Sequence, residues 1–262
     1  DISSIQEVGV FDKLIFNELF KTNACNSHFH GHASGGRIKM YKNKIIYTVG
    51  DFDHSEHGIL KIPQQINNAA GKVILINSNG NGFKVISSGH RNQQGLETVD
   101  GKIFITEHGP KGGDEINLII PNKHYGWPFF SYGTTYQDKE LFRTNHTGKY
   151  EKPLFYFNPS IGISELIFYT GDHFPYWKNK FIVTSLKDKS LYLLDYDYTL
   201  NRIIASERIN IGHRIRDLLI SPKGEIIIIT DDQNIVHLAR AKKQKITKIN
   251  KIPFLKSSPS PY

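Results

Sequence analysis

The sequence places three imidazoles two residues apart, at His28, His30 and His32. Residues so spaced share one face of a β-strand, where three imidazoles could meet a zinc ion and support a metal-dependent, lactonase-like hydrolysis. Gly31 interrupts the run and Gly35-Gly36 comes after it, which favours a loop of solvated histidines instead. A calcium pattern fails more clearly. Asp51-Phe52-Asp53-His54-Ser55-Glu56 begins like an EF-hand loop, but it has Glu where the sixth position needs Gly, Ile62 where the twelfth needs Glu, and no flanking helices. Arg214 and Arg216 alternate, so a strand would present both guanidinium groups on one face, toward an anion or as a solvated stripe. Asn145-His146-Thr147 fits the N-glycosylation pattern, a match short enough to arise by chance.

Side chains scattered over 200 residues converge only if the elements carrying them do. Gly, Asn, Asp and Pro recur between short runs rich in Ile, Val, Phe and Tyr, with no helical period of useful length, so the expected class is all-β. Aliphatic strands ending in Thr recur at 45–48, 103–106, 181–184 and 226–230. Each comes after a tight polar turn: Lys42-Asn43-Lys44, Asp100-Gly101-Lys102, Lys178-Asn179-Lys180 and Pro222-Lys223-Gly224. The terminal threonines stand 58, 78 and 46 residues apart, the scale of a propeller blade with insertions. A β-propeller with one blade per repeat is therefore predicted. Its strand ends facing the axis surround one pocket, and the residues just past each threonine carry chemistry: Gly50-Asp51, Glu107-His108-Gly109-Pro110, Ser185-Leu186-Lys187 and Asp231-Asp232.

Composition narrows the function classes. With 262 residues, 39% of them hydrophobic, the chain can bury a sizeable core as one domain. The formal charge of +8 is mostly a tail effect: Lys242, Lys243, Lys245, Lys248, Lys251 and Lys256 come after Arg240 without an acidic residue, leaving about +2 for the body. Residues 1–240 are thus expected to form the propeller domain, its N-terminal blade or blades incomplete, and 241–262 a solvated basic tail containing Pro and Ser. No nucleic-acid partner is expected. The single Cys25 excludes an intramolecular disulfide, and no run of about 18 apolar residues offers a transmembrane helix. No signal peptide heads the chain, and residue 1 is Asp, so processing or trimming is expected.

From Gly89 the sequence reads Gly-His-Arg-Asn-Gln-Gln-Gly-Leu, then Thr-Glu-His-Gly-Pro-Lys-Gly-Gly-Asp-Glu-Ile-Asn-Leu from Thr106, and Tyr125-Gly126-Trp127-Pro128. With His32-Ala33-Ser34-Gly35-Gly36-Arg37, Thr48-Val49-Gly50-Asp51, Ser185-Leu186-Lys187 and Arg214-Ile215-Arg216-Asp217, this order resembles the soluble quinoprotein aldose sugar dehydrogenases over residues 32 to about 240. The resemblance implies a six-bladed β-propeller, of which this chain would cover roughly four to five blades. It implies oxidation of a sugar C1 hydroxyl to a lactone, with pyrroloquinoline quinone and calcium as cofactors and an external electron acceptor. A periplasmic or secreted location is also implied; the sugar, the acceptor and the oligomeric state are left open.

Residue by residue, the resemblance makes His32 the base that takes the hydroxyl proton, Asp51 the carboxylate that orients it, and Arg91 the cation beside the quinone. Asn92, Ser160, Lys187, Arg214 and Arg216 match cofactor contacts. Gly109 and Pro110 match backbone ligands of the cofactor's calcium, and Glu115 and Tyr125 match contributors to a second calcium site. The chain departs from the pattern at Asn158-Pro159-Ser160, where many relatives have Trp-Pro, at Gly31, where some have Asp, and near Glu56, where others use Gln. Asn158, together with the expected absence of an upstream segment, favours a competing reading, a non-catalytic propeller that binds a protein or glycan.

Overall fold

The structure, a computed structural model, describes residues 2–6, 15–22, 31–54, 62–136 and 148–240. Cys25, His28, His30, Glu56, Asn145 and the 241–262 tail lie outside them. A hairpin of β1 (Ile2–Gln6) and β2 (Ile15–Phe20) precedes four antiparallel blades. The first blade holds β3 (Gly35–Tyr41), β4 (Lys44–Val49), β5 (Lys72–Asn77) and β6 (Phe83–Ser88). The second holds β7 (Gln93–Val99), β8 (Lys102–Glu107), β9 (Asp114–Ile119) and β10 (Phe155–Phe157). The third holds β11 (Ile163–Tyr169), β12 (Lys180–Ser185), β13 (Ser190–Asp197) and β14 (Arg202–Asn210). The fourth has three strands, β15 (Ile215–Ile220), β16 (Ile226–Thr230) and β17 (Ile235–Leu238). Four blades among the described residues agree with the expected share of a six-bladed propeller.

The repeated aliphatic segments are β4, β8, β12 and β16, the second strand of every blade. In the first three blades the strand sequences lack clean alternation because these strands are buried on both faces, whereas Leu219, Ile229 and Ile235 of the fourth are exposed. Ile45 faces the first hairpin's side with Phe20, Ile74 and Ile76, while its neighbour Ile46 packs with Leu96 and Ile105 of the second blade. Phe104, Leu166 and Phe181 fill the next interface, and Ile182, Ile215 and Ile228 the last. The polar turns are tight hairpins; Asp100 and Gly101 both have positive φ, 49° and 76°, as a two-residue turn matched to strand twist requires.

The recurrent threonine has a structural cause. The first strand of every blade breaks register near one end, at Gly35/Ile38, Gln93/Gly95, Ile163/Leu166 and Ile215/Asp217. Such a bulge releases amides from the ladder. Thr48 Oγ1 accepts the Arg37 N–H at 2.9 Å, and Thr184 Oγ1 accepts that of Glu165 at 2.8 Å. Thr106 instead donates to Ser164 O at 2.6 Å, joining blades two and three. The Arg37 guanidinium then crosses to Glu165 at 2.5 Å and Asp217 at 2.9 Å, linking the first strands of blades one, three and four.

Lys72 on β5 is fully buried, its Nζ donating to Pro63 O at 2.6 Å and Ala70 O at 2.7 Å. Burial lowers its pKa to about 7 from an ordinary 10.5. Between those values the folded chain holds fewer protons at Lys72 than the unfolded chain, so stability rises with pH across the window. At about 1.4 kcal/mol per pH unit for one proton, Lys72→Met is expected to flatten that rise by up to about 4 kcal/mol, read from urea unfolding of both proteins at pH 7 and pH 10.

Candidate functional site

The bulged ends of the first three blades meet around an open cleft of about 550 Å³. His32 reaches it from a loop that rests on Gly50: Gly50 N–H donates to Ser34 O at 2.9 Å, and a Cβ on residue 50 would fall inside the van der Waals shell of Ala33 O. The His32 side chain is 80% exposed, with Nδ1 at 3.6 Å from Asp53 Oδ2. Asp53 also stands 3.9 Å from the Arg91 guanidinium, between the two expected working groups.

Arg91 lies just past β6 and is clamped at its peptide. Its N–H donates to Glu107 Oε2 at 2.8 Å, and its C=O accepts the Asp51 N–H at 2.7 Å. Its guanidinium lies 5.4 Å from the centre of the Trp127 ring and reaches toward Gly109 O. Glu107 is itself held by a buried chain. Its Oε1 accepts from Asn117 Nδ2 at 2.7 Å and lies 2.9 Å from His90 Nδ1, whose Nε2 is 2.8 Å from Ser87 Oγ. Ser, His and Glu stand here in the order of a hydrolytic triad, but Ser87 and His90 are buried, so the chain positions Glu107 and not a nucleophile.

On the far wall, Gly109 and Pro110 leave β8 in a turn too close-packed for a side chain: a Cβ on Gly109 would overlap Gly112 O. Buried Asp114 fixes this turn, accepting the Gly109 N–H at 3.1 Å on Oδ1, and Ser160 Oγ–H at 2.7 Å with the Ile163 N–H at 3.0 Å on Oδ2. His108 lies 3.8 Å from Asp114; burial lowers its pKa against that carboxylate's pull. Asn92 completes the wall, its Oδ1 accepting the Gly35 N–H at 3.2 Å.

His32, Arg91, Asn92, Gly109, Pro110 and Ser160, expected to work together, all line this cleft. Lys187, Arg214 and Arg216 stand outside its wall and are exposed. Lys187 packs by its backbone on Ile161 O at 2.9 Å, and both arginines engage Asp231, at 3.1 Å and 2.6 Å. Glu115 and Tyr125 line a small adjoining space of about 10 Å³, room for one water-sized sphere, which shares Arg91, His108 and Gly109 with the cleft. Burial, with Glu107 close by, holds the Glu115 carboxyl well above its usual range. The Tyr125 hydroxyl is committed elsewhere, donating to Leu118 O and accepting the Ile120 N–H at 3.0 Å.

Asp51 is the clearest departure from expectation. It is fully buried, and Oδ2 accepts the Trp127 Nε1–H at 2.6 Å while Oδ1 accepts the Asp53 N–H at 3.0 Å. The carboxylate beside His32 is Asp53. Sequence reasoning misses Tyr136 and gives no role to Asp53, His108 or Trp127; Asp53 enters it only as an EF-hand position, His108 only among the residues past a strand-ending threonine, and Trp127 only as part of a tetrapeptide.

The sequence profile of the glucose/sorbosone dehydrogenase family matches residues 12–238. An uncharacterized protein of Synechocystis is 38% identical over 245 residues, covering 85% of this chain and 58% of that protein. The aldose sugar dehydrogenase of Escherichia coli is 29% identical over 238 residues, 85% of this chain and 62% of its own length. Its apo crystal structure superposes with a TM-score of 0.67 at 27% identity, over 75% of this chain and 60% of that one. Quinoprotein glucose dehydrogenase B of Acinetobacter calcoaceticus is 24% identical, over 77% of this chain and 59% of its length. The chain thus spans about three fifths of these relatives. A profile match running from the first hairpin to the last strand, on a propeller whose strand ends share one cleft, makes this chain a member of the glucose/sorbosone dehydrogenase family.

Proposed function

We propose that this chain carries the active site of a quinoprotein oxidoreductase that converts the C1 hydroxyl of an aldose to a lactone. The observation that carries the reading is that an imidazole, a guanidinium and the Gly109-Pro110 turn, far apart in sequence, line a single open cleft. The cleft fits the cofactors the family implies. Its volume of about 550 Å³ lies within the range of small-molecule sites, and its wall offers Arg91, Asn92 and Ser160 to an anionic ring system. The Gly109 and Pro110 carbonyls are hard oxygen donors on a turn fixed by Asp114, which suits calcium. When bound, pyrroloquinoline quinone supplies the acceptor for the C1 hydride, and calcium the Lewis acid that polarises its carbonyl.

The chain's own residues do the rest. His32 takes the hydroxyl proton as the C1–H bond breaks, a task that suits imidazole near neutral pH. Asp53 favours the imidazolium so formed. Arg91 provides fixed positive charge without risk of losing its proton. Lys187, Arg214 and Arg216 flank the cleft as further partners for cofactor carboxylates, and electrons leave to an external acceptor. Glu115 and Tyr125 are proposed to border a second calcium, whose charge would favour the ionised Glu115 carboxylate that burial alone disfavours. A location outside the cytoplasm accords with the resemblance. A non-catalytic binding propeller is the second reading, favoured by the three cations that stand outside the cleft wall.

Purified full chain supplied with the quinone and calcium is expected to bleach a redox dye with glucose or another aldose; a chain that binds the quinone yet bleaches no dye with any aldose overturns the oxidoreductase reading. In the same assay His32→Gln should lose about 10²- to 10⁴-fold in kcat while quinone affinity stays within a few-fold. Gly50→Ala pushes the His32 loop off its seat and should lower kcat by about 10²-fold, the scale set by a displacement of about 1 Å.

A further inference from the structure

A second hollow, of about 680 Å³, lies between the second and third blades at the end of the fold away from the cleft. Asn92 and Ser160 of the cleft come just before β7 and β11, whereas Glu97, Asp100, Phe168 and Thr170 of the hollow stand at or just past the far ends of the same two strands. Its walls are fixed. Glu97 ties the two blades together, its Oε2 accepting the Phe168 N–H at 3.3 Å and its Oε1 the Thr98 N–H at 2.6 Å and the Lys39 ammonium. The Phe168 and Tyr198 rings meet at 86° with their centres 6.5 Å apart, a right-angled aromatic corner. The Lys102 ammonium braces it, 5.7 Å from the Tyr198 ring centre and bonded to Asn201 Oδ1 at 2.6 Å.

Against these fixed rings stand polar groups with nothing to hold. Thr98, Asp100, Thr170 and Asn179 line the same space, and among the described residues none of their side chains has a hydrogen-bond partner. Charge separates the ligand classes. Glu97 is answered by Lys39, and Asp100 stands two residues from Lys102, so the hollow carries no net charge. An organic cation would need carboxylates without such partners, and a wholly apolar ligand would cover the amide and hydroxyls unpaired. A pyranose ring suits both parts of the wall: its C–H face packs on an aromatic ring, and its hydroxyl edge meets an amide, a carboxylate and hydroxyls that both donate and accept. We infer that this hollow is a second carbohydrate site, which takes a neutral glycoside at the end of the blades opposite the cleft. It does not depend on the quinoprotein reading.

Methyl β-cellobioside and methyl β-maltoside are the probes, because their methyl group replaces the C1 hydroxyl that the cleft is proposed to oxidise, and neither quinone nor calcium is added. In saturation-transfer NMR, irradiating the aromatic protons of the purified full chain should carry saturation to the C–H protons of at least one glycoside. Tyr198→Ala should weaken that binding about tenfold, the loss of one stacking ring. Asn179→Gly keeps the turn's positive φ of 62° while removing the amide, and should weaken it about fivefold. This variant decides the matter even if Tyr198→Ala fails to fold. His32→Gln, at the other end of the blades, should leave glycoside affinity within about twofold. Binding that falls with His32→Gln and not with the hollow's variants puts the glycoside in the cleft and overturns the inference. So does a wild-type chain that binds neither glycoside, or one in which tetramethylammonium displaces them. A chain that bleaches no dye with any aldose sinks the oxidoreductase reading alone, since the glycoside titration needs no turnover.

Discussion

A guanidinium can face a cleft in one direction only if the peptide that bears it cannot rotate. The Arg91 peptide is held at both ends, its N–H by the Glu107 carboxylate and its C=O by the Asp51 amide. Neither holder is loose. Glu107 is fixed by Asn117 and His90, and Asp51 by the indole of Trp127. Each of these groups is buried, and a buried polar group that loses its partner costs more than the bond itself gains, so the set stands or falls together. The rest of the site is arranged around this clamp: Asp53 lies two residues past Asp51, Asn92 is next to Arg91, and the Gly109 turn leaves the strand that ends in Glu107.

That clamp depends in turn on where the blades end. Register breaks in all four first strands lie near the ends of their blades, and Ala33, Asn92 and Ser160, just before the first strands of the first three blades, line the cleft. A bulge bends a strand and frees amides, and a short hydroxyl on the neighbouring strand can satisfy one of them without a protein-wide change. Thr48 and Thr184 do this for Arg37 and Glu165, whose side chains then pair across the centre. Burial raises the Glu165 carboxyl to about 7 against the pull of Arg37.

This arrangement is legible in the sequence to the extent that it is local. Strand, polar turn and aliphatic strand ending in threonine are neighbours in the chain, and their period locates the blades and the second strand of each. The chemistry beside each threonine points to one end of the fold, and His32, Arg91, Asn92, Gly109, Pro110 and Ser160 do share a cleft there. Partner choice is not legible. Asp51 and Asp53 differ by two residues and both are carboxylates; an indole 76 residues away separates them by claiming the first. The relay from Ser87 to Asn117 likewise joins strands of different blades, and no spacing along the chain announces it.

If the cleft takes the tricarboxylate proposed above, charge bears on the cations outside it. Among the described residues lining the wall, Arg91 is the lone guanidinium or ammonium, and Asp53 stands 3.9 Å from it. A ligand with three carboxylates needs more than that. Arg214 and Arg216 are occupied by Asp231, which they hold below its ordinary pKa, but these are exposed ion pairs in water, where pairing is worth little and partners exchange readily. Had they been buried, releasing Asp231 would leave an uncompensated charge and the arginines would be lost to any ligand. On the proposed reading, their exposure would let a cofactor carboxylate take the place of Asp231, so the same feature that keeps them out of the cleft wall would keep them available to a ligand bound in it.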